Sequence, residues 1–261
     1  KETIFECRDL DYGVDLASGH RPILEAITLD VCRGEFLTIV GGSGTGKTSL
    51  LRLLGGLTAA CNGGIRFHGH PVSGPPQGVV VVFQDYSRAL LQWRTVAANV
   101  ALGLEGRLAP AALRERVAKA LDMVGLQRSA GDYPWQLSGG MQQRVQIARA
   151  LALEPDVLMM DEPFGALDAM TKAALQDELL GLHARTGTSF VFITHDIEEA
   201  VYLGDRVVVL GGSPGRVHET VSIDLPRPRD QIATRQSPEF LRHRSHLYAA
   251  VHNSARGDAR A

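Results

Sequence analysis

Eight residues, Gly41-Gly42-Ser43-Gly44-Thr45-Gly46-Lys47-Thr48, match the spacing G-x-x-x-x-G-K-[ST] between the apolar run Leu37-Thr38-Ile39-Val40 and the helix-like Ser49-Leu50-Leu51-Arg52-Leu53-Leu54. Such a loop can cradle the phosphates of a nucleotide. Its glycines open backbone conformations closed to other residues, so that successive N–H groups converge on phosphate oxygens at the positive end of the following helix. Lys47 adds charge, and the Thr48 hydroxyl is a Mg2+ ligand. A second group, Asp161-Glu162-Pro163, directly follows the apolar Val157-Leu158-Met159-Met160. A strand-end carboxylate one strand away from a phosphate loop can hold Mg2+ through water, and its neighbour can polarise an attacking water. We assign Asp161 to the metal and Glu162 to the water. Without the loop, the pair would read as a helix cap after a buried strand.

The elements that must position these groups alternate. Short runs rich in Val, Ile and Leu at 23–31, 35–40, 79–83, 157–160, 189–193 and 206–210 are separated by helix-like segments, which predicts an α/β fold. Residues 79–82 and 157–160 are apolar throughout, as expected of parallel strands covered on both faces. Ligands of open α/β sheets bind at the carboxyl ends of strands, where both candidate groups fall. From about Ser87 to Trp135 the β signals vanish. Residues 110–124 read as an amphipathic helix, with proline in the first turn and Leu113, Val117, Leu121 and Val124 at helical spacing. After Arg206 come strand-like pieces, the stretch Leu225-Pro226-Arg227-Pro228-Arg229 and a helix expected from Pro238 to about Val251.

At 261 residues and 44% hydrophobic composition, the chain can build a substantial core. A formal net charge of -2 gives no global basic field for nucleic acid or an anionic bilayer, so any membrane link is expected to run through a protein. No run of eighteen apolar residues and no signal-peptide core is present, which predicts a chain that neither spans the bilayer nor is exported by that route. The first residue is Lys1 rather than Met, so a few preceding residues are expected. Cys7, Cys32 and Cys61 lack C-x-x-C spacing and are read as reduced packing residues.

Taken in order, these motifs resemble those of ATP-binding cassette ATPases, and the likeness covers nearly the whole chain. Leu137-Ser138-Gly139-Gly140-Met141 is similar to the signature segment that sets the family apart among phosphate-loop NTPases. The Ser138 hydroxyl and the N–H groups of Gly139 and Gly140, at the start of a helix over 141–153, would form a second anion site. The resemblance implies a phosphate-loop core with a mostly parallel sheet, an antiparallel β subdomain and an inserted helical subdomain. The ATPase domain would span 1–220, the helical insertion about 87–155, and a short tail with a terminal helix 221–261. It further implies that Gln84 reaches Mg2+ with its amide oxygen, that Gly165-Ala166-Leu167-Asp168 contacts an opposite subunit, that His195 bonds the γ-phosphate, and that Tyr12 stacks on adenine. The signature would act in trans, so two chains would pair head to tail around two ATP molecules.

Between Lys47 and Ser138 lie only about ninety residues and no heptads, which disfavours the coiled-coil cassettes of chromosome maintenance. A single cassette disfavours the duplicated translation-factor type. Tyr133-Pro134-Trp135-Gln136, the run from Glu162 through Thr171, Ser213-Pro214-Gly215-Arg216-Val217 and the Pro-Arg stretch at 225–229 are similar to importers of nitrate, sulfonates and taurine. Leu90-Leu91-Gln92-Trp93 is similar too, with Gln92 where that group commonly has Pro, and Met141 stands where the signature often has Gln. The implied role is a peripheral ATPase on the cytoplasmic face of a bacterial-type membrane, partnered by a second cassette, a permease and, indirectly, a solute-binding protein. A soluble cassette acting on nucleic acid or ribosomes is the alternative; its expected basic stripe or inserted arm is not visible in the sequence. Replacing Glu162 with Gln is expected to preserve ATP binding and trap a long-lived ATP-bound dimer by size-exclusion chromatography. Undiminished phosphate release from that variant would overturn the assignment.

Overall fold

The computed structural model describes residues 2–16, 19–84, 89–165 and 167–256. Two sheets organise it. The larger has six strands: β3 (Phe36–Gly41), β6 (Val79–Val82), β7 (Val157–Asp161), β8 (Ser189–Ile193), β9 (Arg206–Gly211) and β10 (Arg216–Ser222), in the order β10-β9-β3-β8-β7-β6. All neighbours run parallel except the β10–β9 pair. The smaller sheet is antiparallel, with β1 (Thr3–Leu16), β2 (Gly19–Cys32), β4 (Asn62–Phe67) and β5 (His70–Pro71) in the order β2-β1-β4-β5.

Side chains alternate across a strand, and the large sheet uses both faces. Phe36, Val40, Leu158, Met160, Phe190, Phe192, Val207 and Val209 enter one core, which the helical segments cover. Leu37, Ile39, Val157, Met159, Val191, Ile193, Val208 and Leu210 enter the other, shared with α1 (Lys47–Leu54) and the antiparallel sheet. This two-sided burial explains why β7 and β8 carry almost no polar residues. The expectation of two-sided cover holds for Val157–Met160 and, more loosely, for Val79–Val82, where Val80 and Val82 face the first core and Val79 and Val81 the second. β6 is an edge strand paired with β7, and Val79, Val80 and Val81 are only half-buried. Four consecutive valines specify extended backbone but not the number of neighbouring strands.

Between β6 and β7 the chain is helical: α2 (Val96–Ala101), α3 (Pro110–Met123) and α4 (Gly139–Ala152). α3 opens on Pro110, and its Val117 and Leu121, followed by Val124, are buried at the spacing read from the sequence. Ser87, the expected start of this insertion, lies outside the described residues. The buried Asn99 organises its entry loop, accepting from Leu91 N at 2.8 Å and donating to the carbonyls of Leu91, Arg94 and Thr95.

Three further helices follow: α5 (Ala169–Thr186), α6 (Ile197–Leu203) and the one-turn α7 (Ala233–Gln236), before the closing helix α8 (Pro238–Arg256). α8 extends past the expected end near Val251. The tail grips α6 at both ends. Arg229 Nη1 donates to the carbonyls of Val201, Tyr202 and Gly204 at 2.7–3.2 Å, while Arg235 and Arg244 bond Glu198 in the first turn at 2.9 and 3.2 Å. A cation at the last carbonyls of a helix also complements its dipole. Among the described residues, no helix is long and apolar enough to cross a membrane. Cys7 is buried, with its thiol pushed up to about 12 by burial, whereas Cys61 is exposed and does not serve the packing role expected of it.

Phe36 is fully buried and stacks on Phe190 with centroids 4.8 Å apart. Phe36→Ala is expected to lower unfolding free energy by about 3–5 kcal/mol. Urea denaturation checks this as a shifted midpoint at unchanged slope.

Candidate functional site

The parallel register brings separate segments to one edge. β3 lies between β9 and β8, and β8 lies between β3 and β7, with Ile39 opposite Ile193 and Asp161 opposite Ile193. The chain therefore leaves β3 as the glycine-rich loop, β7 as Asp161-Glu162 and β8 as Thr194-His195 at the same edge. A cavity of about 500 Å³ opens there, lined in part by Ser43, Gly44, Gly46, Lys47, Thr48, Glu162 and His195.

The loop's conformation depends on glycine at two positions. Gly44 and Gly46 have φ of 81° and 85°, in the left-handed region, and a Cβ on Gly46 would lie 2.5 Å from Leu24 Cδ2. Gly41 and Gly42 continue the loop from β3, and their carbonyls accept from Lys47 Nζ at 3.0 and 2.9 Å. Thr45 does not line the cavity; its hydroxyl bonds Gly42 O at 3.0 Å and braces the loop from within. Burial holds the Lys47 amine below the ordinary lysine value, against the attraction of Glu162 and Asp161. A desolvated cation beneath a loop of N–H groups suits an anionic ligand.

Thr48 Oγ1 donates to Asp161 Oδ2 at 2.8 Å, which joins the loop's last residue to the end of β7. Burial raises the Asp161 carboxyl above the ordinary range, opposed by that hydrogen bond. A hydroxyl beside a carboxylate is a hard-oxygen pair that fits Mg2+, an ion that keeps several waters and takes further oxygens from phosphate. Among the described residues no three His, Cys, Asp or Glu side chains cluster as a metal cage, so Mg2+ here would rely on that pair, water and phosphate. Glu162 has φ 43°, a strained value for a residue with Cβ, and its N–H bonds Ile193 O at 2.9 Å. Its Oε2 lies 3.0 Å from His195 Nδ1. A carboxylate and an imidazole in hydrogen-bond contact thus face the cavity together.

The remaining sequence candidates sit differently. Gln84 follows β6 and does not line the cavity; its Nε2 lies 3.6 Å from where a Cβ on Gly165 would be, beside the turn after Glu162. Tyr12 lies on β1 opposite Leu24, packs against the core of the antiparallel sheet and is not among the cavity's lining residues. Ser138 caps α4 by accepting from Met141 N at 3.3 Å, and neither it, Gly139 nor Gly140 lines the cavity. A Cβ on Gly140 would lie 2.4 Å from Thr171 Cγ2, so the start of α4 is pressed against the start of α5. Asp168 caps α5, accepting from Met170 N, Thr171 N and Thr171 Oγ1; its neighbour Ala166 lies outside the described residues. Sequence reasoning missed Arg21 and Ile23, which line the cavity from β2. No local pattern marks them, because the antiparallel sheet brings them there.

The family model described as "ABC transporter" matches residues 24–165, a span that runs from β2 through the phosphate loop, the signature segment and Asp161-Glu162. The chain belongs to the ABC transporter family. Among its relatives, an uncharacterised ABC transporter ATP-binding protein of Methanocaldococcus jannaschii is 50% identical over 225 residues, covering 86% of this chain and 82% of its own length. A taurine import ATP-binding protein of Pseudomonas entomophila is 46% identical, with 88% of this chain and 90% of the relative covered. An aliphatic sulfonates import ATP-binding protein of Xanthomonas axonopodis pv. citri is 45% identical, with 90% and 92% covered. A solved dimeric structure of an ATP-binding cassette in a post-hydrolysis state, bound to ADP and Pi, superposes with a TM-score of 0.72 at 29% identity, covering 84% of this chain and 99% of that one. The mixed sheet, antiparallel subdomain and helical insertion of this cassette agree with the fold expected from its motifs.

Because burial raises the Asp161 carboxyl, its ionisation works against folding. That penalty is absent below the ordinary aspartate range, grows as pH rises through it, and is complete above the raised value. Asp161→Asn is therefore expected to melt higher than the parent at pH 7 without nucleotide, with the gap shrinking towards about pH 4. Differential scanning calorimetry across pH checks this, alongside an expected loss of Mg2+-dependent phosphate release.

Proposed function

We propose that this cassette is the ATP-hydrolysing subunit of an importer for nitrate, sulfonates, taurine or a related small solute. The observation that carries the reading is the convergence of Lys47, Thr48, Glu162 and His195 on one cavity, with Asp161 bonded to Thr48 behind them. Supporting it is the similarity to relatives whose names specify sulfonate and taurine import.

ATP phosphates would lie against the N–H groups of residues 41–48, with Lys47 exchanging its two loop carbonyls for phosphate oxygens. Thr48, Asp161 through water, and Gln84 would hold Mg2+, which when bound would supply charge neutralisation to the phosphates. Glu162 polarises the attacking water and accepts its proton at Oε1 or Oε2. His195 orients that carboxylate through Nδ1 and bonds the γ-phosphate. Tyr12 would serve the adenine from β1, together with Arg21 and Ile23 along β2. Residues 1–220 act as the ATPase domain, with the helical subdomain at about 87–155 and the tail at 221–261.

Ser138, Gly139 and Gly140 of a second copy would complete the phosphate site in trans, with Asp168 at the same dimer interface. That ATP-bound dimer opens after hydrolysis, which converts chemistry into motion. A permease helix fits an apolar groove of about 270 Å³ along the exposed edge of β6, lined in part by Phe83, Leu102 and Leu153. Gln84 directly follows Phe83, so a partner in this groove would sit one residue from the glutamine proposed to reach Mg2+. Docking there places the cassette at the cytoplasmic face of the membrane as a peripheral subunit, with a solute-binding protein acting through the permease.

The test is to identify the permease and solute-binding protein that copurify with this chain and to reconstitute the complex in proteoliposomes. Phosphate release is expected to rise with the cognate solute among nitrate, taurine and alkanesulfonates, and uptake of that solute to require ATP. Salt-sensitive binding to nucleic acid with ATPase stimulation, and no permease association, would overturn the reading.

A further inference from the structure

The turn carrying His195 and the turn carrying Asp168 are joined inside one subunit by a cluster that the site described above does not use. Lys172 stands one helical turn after Asp168, and its backbone N–H donates to the Asp168 carbonyl at 2.9 Å. Its Nζ crosses to the other turn, bonding Asp196 Oδ2 at 2.7 Å and Glu199 Oε1. Glu199, with a side chain only 5% exposed, accepts from Thr194 Oγ1 through its other oxygen at 2.5 Å. Thr194 Oγ1 in turn accepts from Asp196 N at 3.0 Å, and Thr194 N donates to Ile39 O at 3.1 Å. Asp196 caps α6 by accepting from Glu198 N and Glu199 N. Thus both residues flanking His195 are bonded into a group centred on one ammonium. Burial opposes the charge on Lys172, yet the bonds to Asp196 and Glu199 prevail and hold its amine above the ordinary value.

We propose that Lys172 is a positioning residue for hydrolysis: it locks the His195 turn to the Asp168 turn, so that the histidine is held in register with the face that meets the second subunit. This rests on the roles given above to His195 and Asp168. Lys172 lines no part of the nucleotide cavity, so its removal should leave ATP binding alone and act on turnover. A purely stabilising ion pair would behave otherwise. Breaking a buried pair lowers stability, but it slows every version of the enzyme by the same factor, whether or not His195 is present.

The experiment measures steady-state Mg-ATP hydrolysis of the full chain as Lys172→Met, His195→Ala and the double variant, with Glu199→Gln as a second route should Lys172→Met fail to fold. Lys172→Met is expected to lower kcat about 10- to 100-fold, as a small misplacement of a positioned group does. Its KM for ATP should stay within about twofold of the parent. The double variant is expected to turn over no more slowly than His195→Ala alone, because the lysine acts through the histidine. Glu199→Gln should reproduce the loss of kcat. Parental turnover in Lys172→Met, or the same fold-loss on the His195→Ala background as on the parent, would overturn the inference while leaving the His195 assignment standing if His195→Ala is itself slow. Parental turnover in His195→Ala would overturn the underlying reading instead.

Discussion

The parallel pairing of β3, β8 and β7 is the constraint on which the rest depends. Ile39 pairs with Ile193, and Ile193 with Asp161. A one-residue slip would turn each strand's side chains to the opposite face, exchanging the two cores and carrying the carboxylates away from the loop. The register is secured by burial on both faces: Phe36, Phe190 and Phe192 pack on one side, and Leu37, Val191 and Ile193 on the other. The geometry of the candidate site is thus a by-product of apolar packing along three strands with few polar side chains of their own.

Stability is surrendered where the chemistry is gathered. Asp161 is an acid whose ionisation burial opposes, Lys47 a cation held low by the same cause, and Glu162 a non-glycine residue with φ near 43°. Each would be more comfortable elsewhere, and together they present a desolvated, preorganised edge to an anionic ligand.

What the sequence made legible was whatever is contiguous. The phosphate loop and Asp161-Glu162 each follow a short apolar run, so local pattern and the rule of ligands at strand ends sufficed to single them out, whereas His195 was singled out by the resemblance to the family. The helical insertion was legible from the 3.6-residue spacing of Leu113, Val117, Leu121 and Val124, and the signature segment from its resemblance to that of the family. Arg21 and Ile23 were not legible, because only the folding of the antiparallel sheet over the loop brings them to the cavity. Lys172 was hidden for the same reason, since its partners lie 24 and 27 positions away across two helices and a strand. The valine run at 79–82 reported its two covered faces but not its place at the sheet edge, which is decided by the strands that stand beside it.

The tail has a consequence for where this molecule ends. Arg229 closes the carbonyl end of α6, Arg235 and Arg244 hold its first turn, and Gly211 leaves room for Ser254, whose Cβ would otherwise meet a side chain at 2.3 Å. A cassette cut after β10 would keep every nucleotide-binding motif intact, yet the helix behind His195 would lose the three arginines that hold it, and β9 the helix that packs on it. The contacts that hold the helix after His195 in place therefore reach well beyond the last recognisable motif.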